Sequence, residues 1–368
     1  VIYPNGIKSV RSTGSFLQTT ESEVSITAPL GTVVVTGGAG YLGSVLVRKL
    51  LERGYRTVVF DRLLYGDDGI RELNGRDGFE FVRGDVRSFD ELVSVLRSAD
   101  AVVHLAAIVG DPACALDQSL ALEVNLAATA TVVRAAHVSG VRRLIFASSC
   151  AVYGCGEQFP DEDSTLKPLS LYARTKVAAE EIVLKAANER VASTALRLAT
   201  LYGLSPRPRF DLLINLFAAQ AMEQGEITIL GGRQWRPFLH VTDAADAVAA
   251  CLEAPESAVK GEAFNVGGND QNYRIEEVAQ LVKKIVPGLT IRNAEAKYGP
   301  NYRVSFAKIR NRLPFVPQHE IEGGVSEIIK ASRRGEIGGY RQSRNSNVQM
   351  LKERGFPAIA SSPPAPPR

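Results

Sequence analysis

A chain of 368 residues, 45% hydrophobic and 23% charged, has globular composition and is long enough for one large α/β domain with a smaller lobe, or for two ordinary domains. Its net charge of +3 suggests neither a nucleic-acid nor a membrane-surface partner, and no apolar run approaches the roughly 20 residues that span a bilayer. The four cysteines, at 114, 150, 155 and 251, form no CxxC pair and no metal-ligand spacing, so reduced thiols, a cytoplasmic protein and no metal site are expected.

Residues 1–30 are rich in Ser and Thr and are read as a loosely ordered arm. From residue 31 the chain alternates strand-like and helix-like segments. Thr32–Thr36, Arg56–Phe60, Phe79–Val82, Ala101–Leu105, Arg143–Ala147 and Ser193–Arg197 are apolar or β-branched runs. Helical patterns follow the first glycines through Leu42, Val45, Leu46 and Leu50, and cover about 119–139, 171–189 and 275–286. Apolar strands separated by helices predict a doubly wound parallel sheet, a Rossmann domain over 31–200. Beyond residue 200, Pro206, Pro208, Gly225, Gly231 and Pro237 break the rhythm, so 201–332 is read mainly as a smaller ligand-binding lobe, with segments around 238–266 returning to the sheet. Residues 333–368, with clustered Arg and a Pro-rich end, are read as a solvated tail.

Gly37, Gly40 and Gly43 lie in the turn after the first strand. Glycines there permit a tight turn, close approach to a pyrophosphate and close helix–strand packing, and the helix N-terminus offers unpaired N–H groups to phosphates. Tyr41 and Leu42 open that helix. Asp61 ends the second strand 21 positions after Gly40, the spacing of an acid that bonds an adenosine ribose and repels a 2′-phosphate. The dinucleotide is therefore read as NAD, with Arg62 beside the acid as the feature that tells against this choice.

Tyr172 and Lys176 stand four apart, on one face of a helix. A phenol is a poor base at neutral pH, and a nearby ammonium would stabilise its phenolate. Ser148 and Ser149 follow the fifth strand at the carboxyl edge where such sheets bind ligands. A hydroxyl there can share a proton with Tyr172 across a substrate oxygen.

These residues, together with Gly84-Asp85-Val86, His104-Leu105-Ala106-Ala107, Asn125, Val152-Tyr153-Gly154, Tyr202-Gly203, Arg236-Pro237-Phe238 and Phe264-Asn265-Val266-Gly267, give the chain a resemblance over about 32–330 to the extended short-chain dehydrogenases/reductases. It is similar within that group to the NAD-dependent nucleotide-sugar epimerase/dehydratase family, in a UDP-glucose 4-epimerase-like pattern. The resemblance implies that Tyr172 is the acid/base, that Lys176 lowers its pKa and holds the nicotinamide ribose, and that Ser149 is the hydroxyl partner. It implies that Asp85 and Val86 contact adenine and that Leu105, Ala106, Ala107, Asn125 and Ala147 belong to the cofactor site. Arg236 matches an arginine that grips the sugar nucleotide's pyrophosphate. Ser148, Thr200, Arg209 and Arg303 are further substrate-site candidates, with Arg207 and Arg233 as additional arginines in the same region. A homodimer is also implied.

Two departures from the family pattern narrow the reaction. Its 4,6-dehydratases carry an Asp-Glu pair directly after the hydroxyl residue, and its decarboxylases keep a glutamate just before Val-Tyr-Gly. Here those positions are Cys150 and Ala151. The expected reaction is therefore 4-epimerisation of a nucleotide-diphosphate hexose through a transient 4-keto sugar. The alternatives are a net oxidoreductase or atypical dehydratase acting on a similar substrate, and a non-catalytic NAD-binding regulator. Cys150 is a packed residue or an acid/base thiol beside the serine. Trp235 is read as a base-stacking or lobe-interface residue. His104 and His240 are expected to be structural.

Overall fold

The computed structural model describes residues 31–155, 159–294 and 301–355. The arm 1–30 and the Pro-rich end beyond residue 355 lie outside the described residues.

Seven parallel strands form the central sheet: β1 (Thr32–Thr36), β2 (Arg56–Asp61), β3 (Phe79–Arg83), β4 (Ala101–His104), β5 (Arg143–Ser149), β6 (Ala192–Leu198) and the later strand Glu262–Val266. Their order across the sheet is 3-2-1-4-5-6, with Glu262–Val266 paired outside β6. This is the doubly wound arrangement, which reverses direction between β1 and β4 and opens a crevice at their carboxyl ends.

Alternation along the strands sends side chains to both faces, and both are covered. Val33, Val35 and Val59 pack with Leu46, Leu50, Ala244 and Val248 on one side. Val34, Val58, Phe60 and Val102 pack with Leu92, Val132, Ala136 and Val183 on the other. The first layer joins α1 (Tyr41–Glu52) to the helix Val241–Glu253, and ion pairs from Lys49 to Asp246 (2.7 Å) and Arg53 to Glu253 (2.8 Å) cross their outer edge. The later chain thus returns to the sheet through that helix and the seventh strand. A separate apolar cluster around Phe217, Ile227, Phe238, Val278 and Ile328 is the core of the smaller lobe.

The segment read as one helix over 119–139 is Gln118–Leu122, a π-helical turn at Glu123–Ala127, and Ala128–Ser139. The widened turn contains Asn125, whose side chain accepts from Ile108 N (2.7 Å) and donates to Ile108 O (2.9 Å).

The reading of a solvated tail from residue 333 is corrected between Ser343 and Arg354. A 3-10 turn at Ser343–Asn345 leads into the helix Asn347–Arg354, capped by Ser346, whose hydroxyl accepts from Gln349 N (3.3 Å). Leu351 is buried with Ile108, Ala113, Cys114 and Ala121, with Val348 packed against this cluster. The Arg and Pro content of the whole segment obscured a short apolar run, Val348, Met350 and Leu351, that docks on the body of the protein.

His104 ends β4 fully enclosed, between Thr36 Oγ1 (2.7 Å) and Thr129 Oγ1 (3.1 Å). Burial lowers its pKa from 6.5 to about 3. Between those values the unfolded chain binds a proton that the folded chain refuses, so stability falls as pH drops below 6.5, by up to about 1.4 kcal/mol per unit. Urea unfolding at pH 7 and pH 5 should show His104→Gln losing about 2 kcal/mol less than the unaltered protein on acidification. Parallel losses would remove His104 as the cause.

Candidate active site

The carboxyl ends of β1, β2, β4 and β5 open into one cavity of about 520 Å³ that runs from the glycine turn to the Tyr172 helix. At one end, Gly37 adopts φ +74°, and a Cβ there would lie 2.7 Å from Ala106 N. A Cβ on Gly43 would collide with Gly37 O and lie 2.6 Å from Gly38 Cα. Only glycine lets this turn fold so tightly against the β4 loop. Gly40 caps α1 without a side-chain bond, leaving the first N–H groups and the positive helix end toward the cavity.

Asp61 accepts hydrogen bonds from Ala39 N (3.0 Å) and Leu63 N (2.8 Å), and burial raises its carboxyl above the usual range. Arg62, the residue that spoke against NAD, is paired to Asp85 at 2.7 Å. Both line the cavity with Val86, Leu105, Ala106 and Ala107. The narrow glycine turn, the uncapped helix end and the carboxylate of Asp61 fit a dinucleotide. Asn125 does not line the cavity. It holds the Ile108 loop that does, so its role is to position that wall.

At the other end, the helix Leu171–Lys185 begins where Ser170 Oγ accepts from Ala173 N (3.2 Å). This start sets Tyr172 and Lys176 one turn apart on the cavity face. Ser149 ends β5. Its hydroxyl accepts from Ala151 N (3.2 Å), and its proximity partly offsets the upward shift of the Tyr172 phenol. Burial raises the phenol's pKa, so the Tyr172 hydroxyl holds its proton in the protein without cofactor. Lys176 Nζ donates to Ala147 O (2.7 Å) and stands 5.9 Å from the Tyr172 ring centre. Burial lowers this ammonium to about 8.

Ser148 also lines the cavity, with a buried hydroxyl that has no partner among the described residues. Thr200 and Arg209 reach the cavity, the latter paired to Asp211 at 3.0 Å.

Three of the expected arginines, Arg233, Arg236 and Arg303, lie outside the lining. Arg236 donates to Trp235 O (2.9 Å) and Gln234 Oε1 (3.2 Å) and covers the Tyr302 ring, so Tyr302, not Arg236, forms the wall. Arg303 packs over Trp235 (5.1 Å) and Phe159 (5.6 Å), away from the cavity lining, because its neighbour Tyr302 takes the inward position. Trp235 is flanked by Arg274 and Arg303 and sits outside the lining. His240 bonds Glu327 (2.8 Å) and stacks on His319.

The structure turns Cys150 away from the chemistry. Its thiol is 1% exposed and donates to Arg197 O (3.1 Å), and burial raises its pKa far above neutrality. The chain turns into a 3-10 helix at this residue, so Ser149 and Ala151 face the cavity while Cys150 faces the core. Cys150→Ala should leave turnover within about twofold, since proton transfer by a positioned group contributes about 100-fold or more. A loss of that larger size in steady-state assays would restore the thiol's role.

Sequence reasoning missed Asp111, Tyr302, Tyr65 and Asn347, all of which line the cavity. Asp111 could have been found from its place in the loop after β4, at the carboxyl edge. Tyr65, four residues after the end of β2, carried the same signal, whereas Tyr302 and Asn347 come from distant parts of the chain and carried none.

Residues 33–267 match the model of the NAD dependent epimerase/dehydratase family. The chain is 29% identical over 318 residues to a UDP-N-acetyl-alpha-D-glucosaminuronate decarboxylase of Bacillus cytotoxicus, covering 81% of this chain and 96% of that protein. It is equally 29% identical to a UDP-glucose 4-epimerase of Lactobacillus helveticus, covering 81% and 94%. Among solved structures, MoeE5 in complex with UDP-glucuronic acid and NAD superposes with a TM-score of 0.71 at 30% identity, covering 83% of this chain and all of that one. No helix among the described residues is long and apolar enough to cross a membrane. Through the matched family model, which spans well over half of its length, the chain belongs to the NAD dependent epimerase/dehydratase family.

Proposed function

We propose that this protein is an NAD-dependent 4-epimerase of a nucleoside-diphosphate hexose. One observation carries the choice within the family: next to Ser149 the cavity wall is the methyl group of Ala151, and Cys150 is turned inward, so the 150–151 step offers no carboxylate to the sugar. Elimination and decarboxylation of the usual type need an acid or base there. Epimerisation needs only hydride transfer and the Tyr172–Ser149 pair.

Tyr172 removes the proton of the sugar's 4-hydroxyl, with Ser149 bonded to both oxygens, and returns it after the 4-keto sugar has rotated to present its other face. NAD, when bound, supplies a reversible two-electron acceptor beside that carbon. Lys176 would exchange its bond to Ala147 O for the nicotinamide ribose and bring its positive charge toward the phenolate. Asp61 and the glycine turn would hold the adenosine half. Arg209, with Thr200 and Ser148 along the wall, would hold the sugar nucleotide, backed by Arg236 through Tyr302. A cytoplasmic homodimer is the proposed working form; Leu122 and Val138, exposed on the Gln118–Ser139 segment, offer apolar surface for it.

Asp111 favours a second reading. It is a carboxylate on the cavity wall, and its charge is felt by Tyr172, so it could serve an atypical elimination. A thermal-shift screen of nucleotide sugars, followed by proton NMR of the best binder, separates the two. A 4-epimer as product supports epimerisation, and a 4-keto-6-deoxy sugar supports the Asp111 reading. A regulator without chemistry would give neither product.

A further inference from the structure

The cavity wall holds three buried polar groups without partners among the described residues: Arg207 Nε, Tyr65 Oη and Asn347 Oδ1. Arg207 is 2% exposed and forms no ion pair among those residues. Its guanidinium lies over the Tyr65 ring at 4.8 Å, and Nη2 meets the Met350 sulfur at 3.7 Å. Asp61, an acid whose charge it feels, is already engaged by two backbone N–H groups. Burial, reinforced by Arg209, lowers Arg207 to about 10, as befits a positive charge awaiting an anion.

The position of Arg207 indicates which anion. A Cβ on Gly69 would lie 3.0 Å from the Cβ atoms of both Arg207 and Ser44, and 2.6 Å from Ala39 O. Ser205, two residues earlier, donates to Tyr41 O (2.7 Å) and meets Ser44 Oγ (3.0 Å). The base of Arg207 is therefore anchored beside the first turn of α1, whose N-terminus attracts phosphate, and its side chain lines the cavity that this helix end also lines.

The C-terminal helix completes the enclosure. Asn347 N donates to Asp211 Oδ2 (3.1 Å), and Phe210 N donates to Asn345 O (2.7 Å), which fastens this helix to the 207–211 loop. Leu351 is buried on the far side with Ile108 and Cys114. Asn347 and Val348 are thereby cavity wall.

We propose that Arg207, Tyr65 and Asn347 form a clamp on the diphosphate of the dinucleotide, and that the helix Asn347–Arg354 is the strap that shuts it. Arg207 and Tyr65 donate to diphosphate oxygens, and Asn347 Oδ1 accepts from an adjoining ribose hydroxyl. The strap must lift for the dinucleotide to leave, which suits a reaction that returns its cofactor to the starting state in every cycle. The clamp rests on the family's use of NAD and not on which sugar reaction follows.

The test is the rate at which NAD leaves the loaded protein, trapped by an excess of a second NAD-binding enzyme, together with the affinity of the same loaded protein for UDP. Arg207→Gln and Leu351→Asp should each speed release at least tenfold with UDP affinity within twofold, and Arg207→Lys should recover much of the loss. Tyr65→Phe and Asn347→Ala, milder changes that keep the packing, should speed release severalfold. Weakened UDP binding with unchanged NAD release would assign the anion to the sugar nucleotide and overturn the proposal. Unchanged values for both, or faster release that Lys does not rescue, would overturn it as well. Neither measurement requires turnover, so the result stands apart from the epimerase reading.

Discussion

Tyr172→Phe should lower kcat by about 1,000-fold while leaving NAD binding and the nucleotide-sugar KM nearly unchanged. The substitution deletes one oxygen from a side chain otherwise surrounded by Leu171, Cys114 and Ile108, so packing is preserved. What disappears is the phenol beside Ser149 that, in the proposed reaction, carries the substrate proton in either direction. Serine alone cannot replace it, since its hydroxyl is a far weaker acid than a phenol. Steady-state kinetics with the cognate sugar nucleotide would check this. A loss below tenfold would shift the acid/base role to another cavity group, with Asp111 the first to examine.

The largest effect on stability is expected at Glu180. Its carboxylate receives Arg197 Nε (3.0 Å) and Nη2 (2.6 Å) in a pair whose side chains are 3% and 6% exposed. Arg197 Nη1 then donates to the Tyr153 hydroxyl (2.7 Å), which donates to Asn265 Oδ1 (2.8 Å). The pair thus anchors the turn after Ser149 to the last strand of the sheet. Glu180→Ala leaves a buried guanidinium without its carboxylate and should cost about 3–5 kcal/mol in urea unfolding. Replacing both residues by Met should cost much less than the single change, because no charge is then stranded. Equal or additive losses would show that packing, rather than charge, sets the cost.

Most of the sheet was legible because each strand is a short apolar run closed by a turn, and the period distinguishes it from the neighbouring helices. The glycine turn, Asp61, Ser149, Tyr172 and Lys176 were legible because the chemistry fixes their spacing along single elements or at strand ends. The remainder depends on contacts between segments far apart in the chain. Tyr302 displaced Arg236 and Arg303 from the wall because the direction of each side chain there is set by packing on Trp235 and Gln234. Arg207 was one of four arginines in its stretch, and only its burial beside α1 sets it apart. The C-terminal helix was misread because composition was averaged over a segment that includes Asn347–Arg354, eight residues that fold onto the protein.

In the proposed reaction some cavity residues also have a preparatory role. Lys176 near 8 and a protonated Tyr172 describe a site at rest, in which the ammonium is held by Ala147 O and burial keeps the phenol protonated. Engagement of the nicotinamide ribose by Lys176 would release Ala147 O and place positive charge beside the phenol. The same binding event would therefore position the cofactor and prepare the base.

The central claim is that the carbon from which hydrogen is taken is the carbon to which it returns. The direct measurement uses a nucleoside-diphosphate hexose bearing deuterium at carbon 4, incubated with the NAD-loaded protein and followed by NMR and mass spectrometry. The account predicts a 4-epimer that keeps its deuterium at carbon 4, with no accumulation of reduced cofactor. Deuterium transferred to carbon 6, or lost to reduced cofactor in proportion to product, would contradict it.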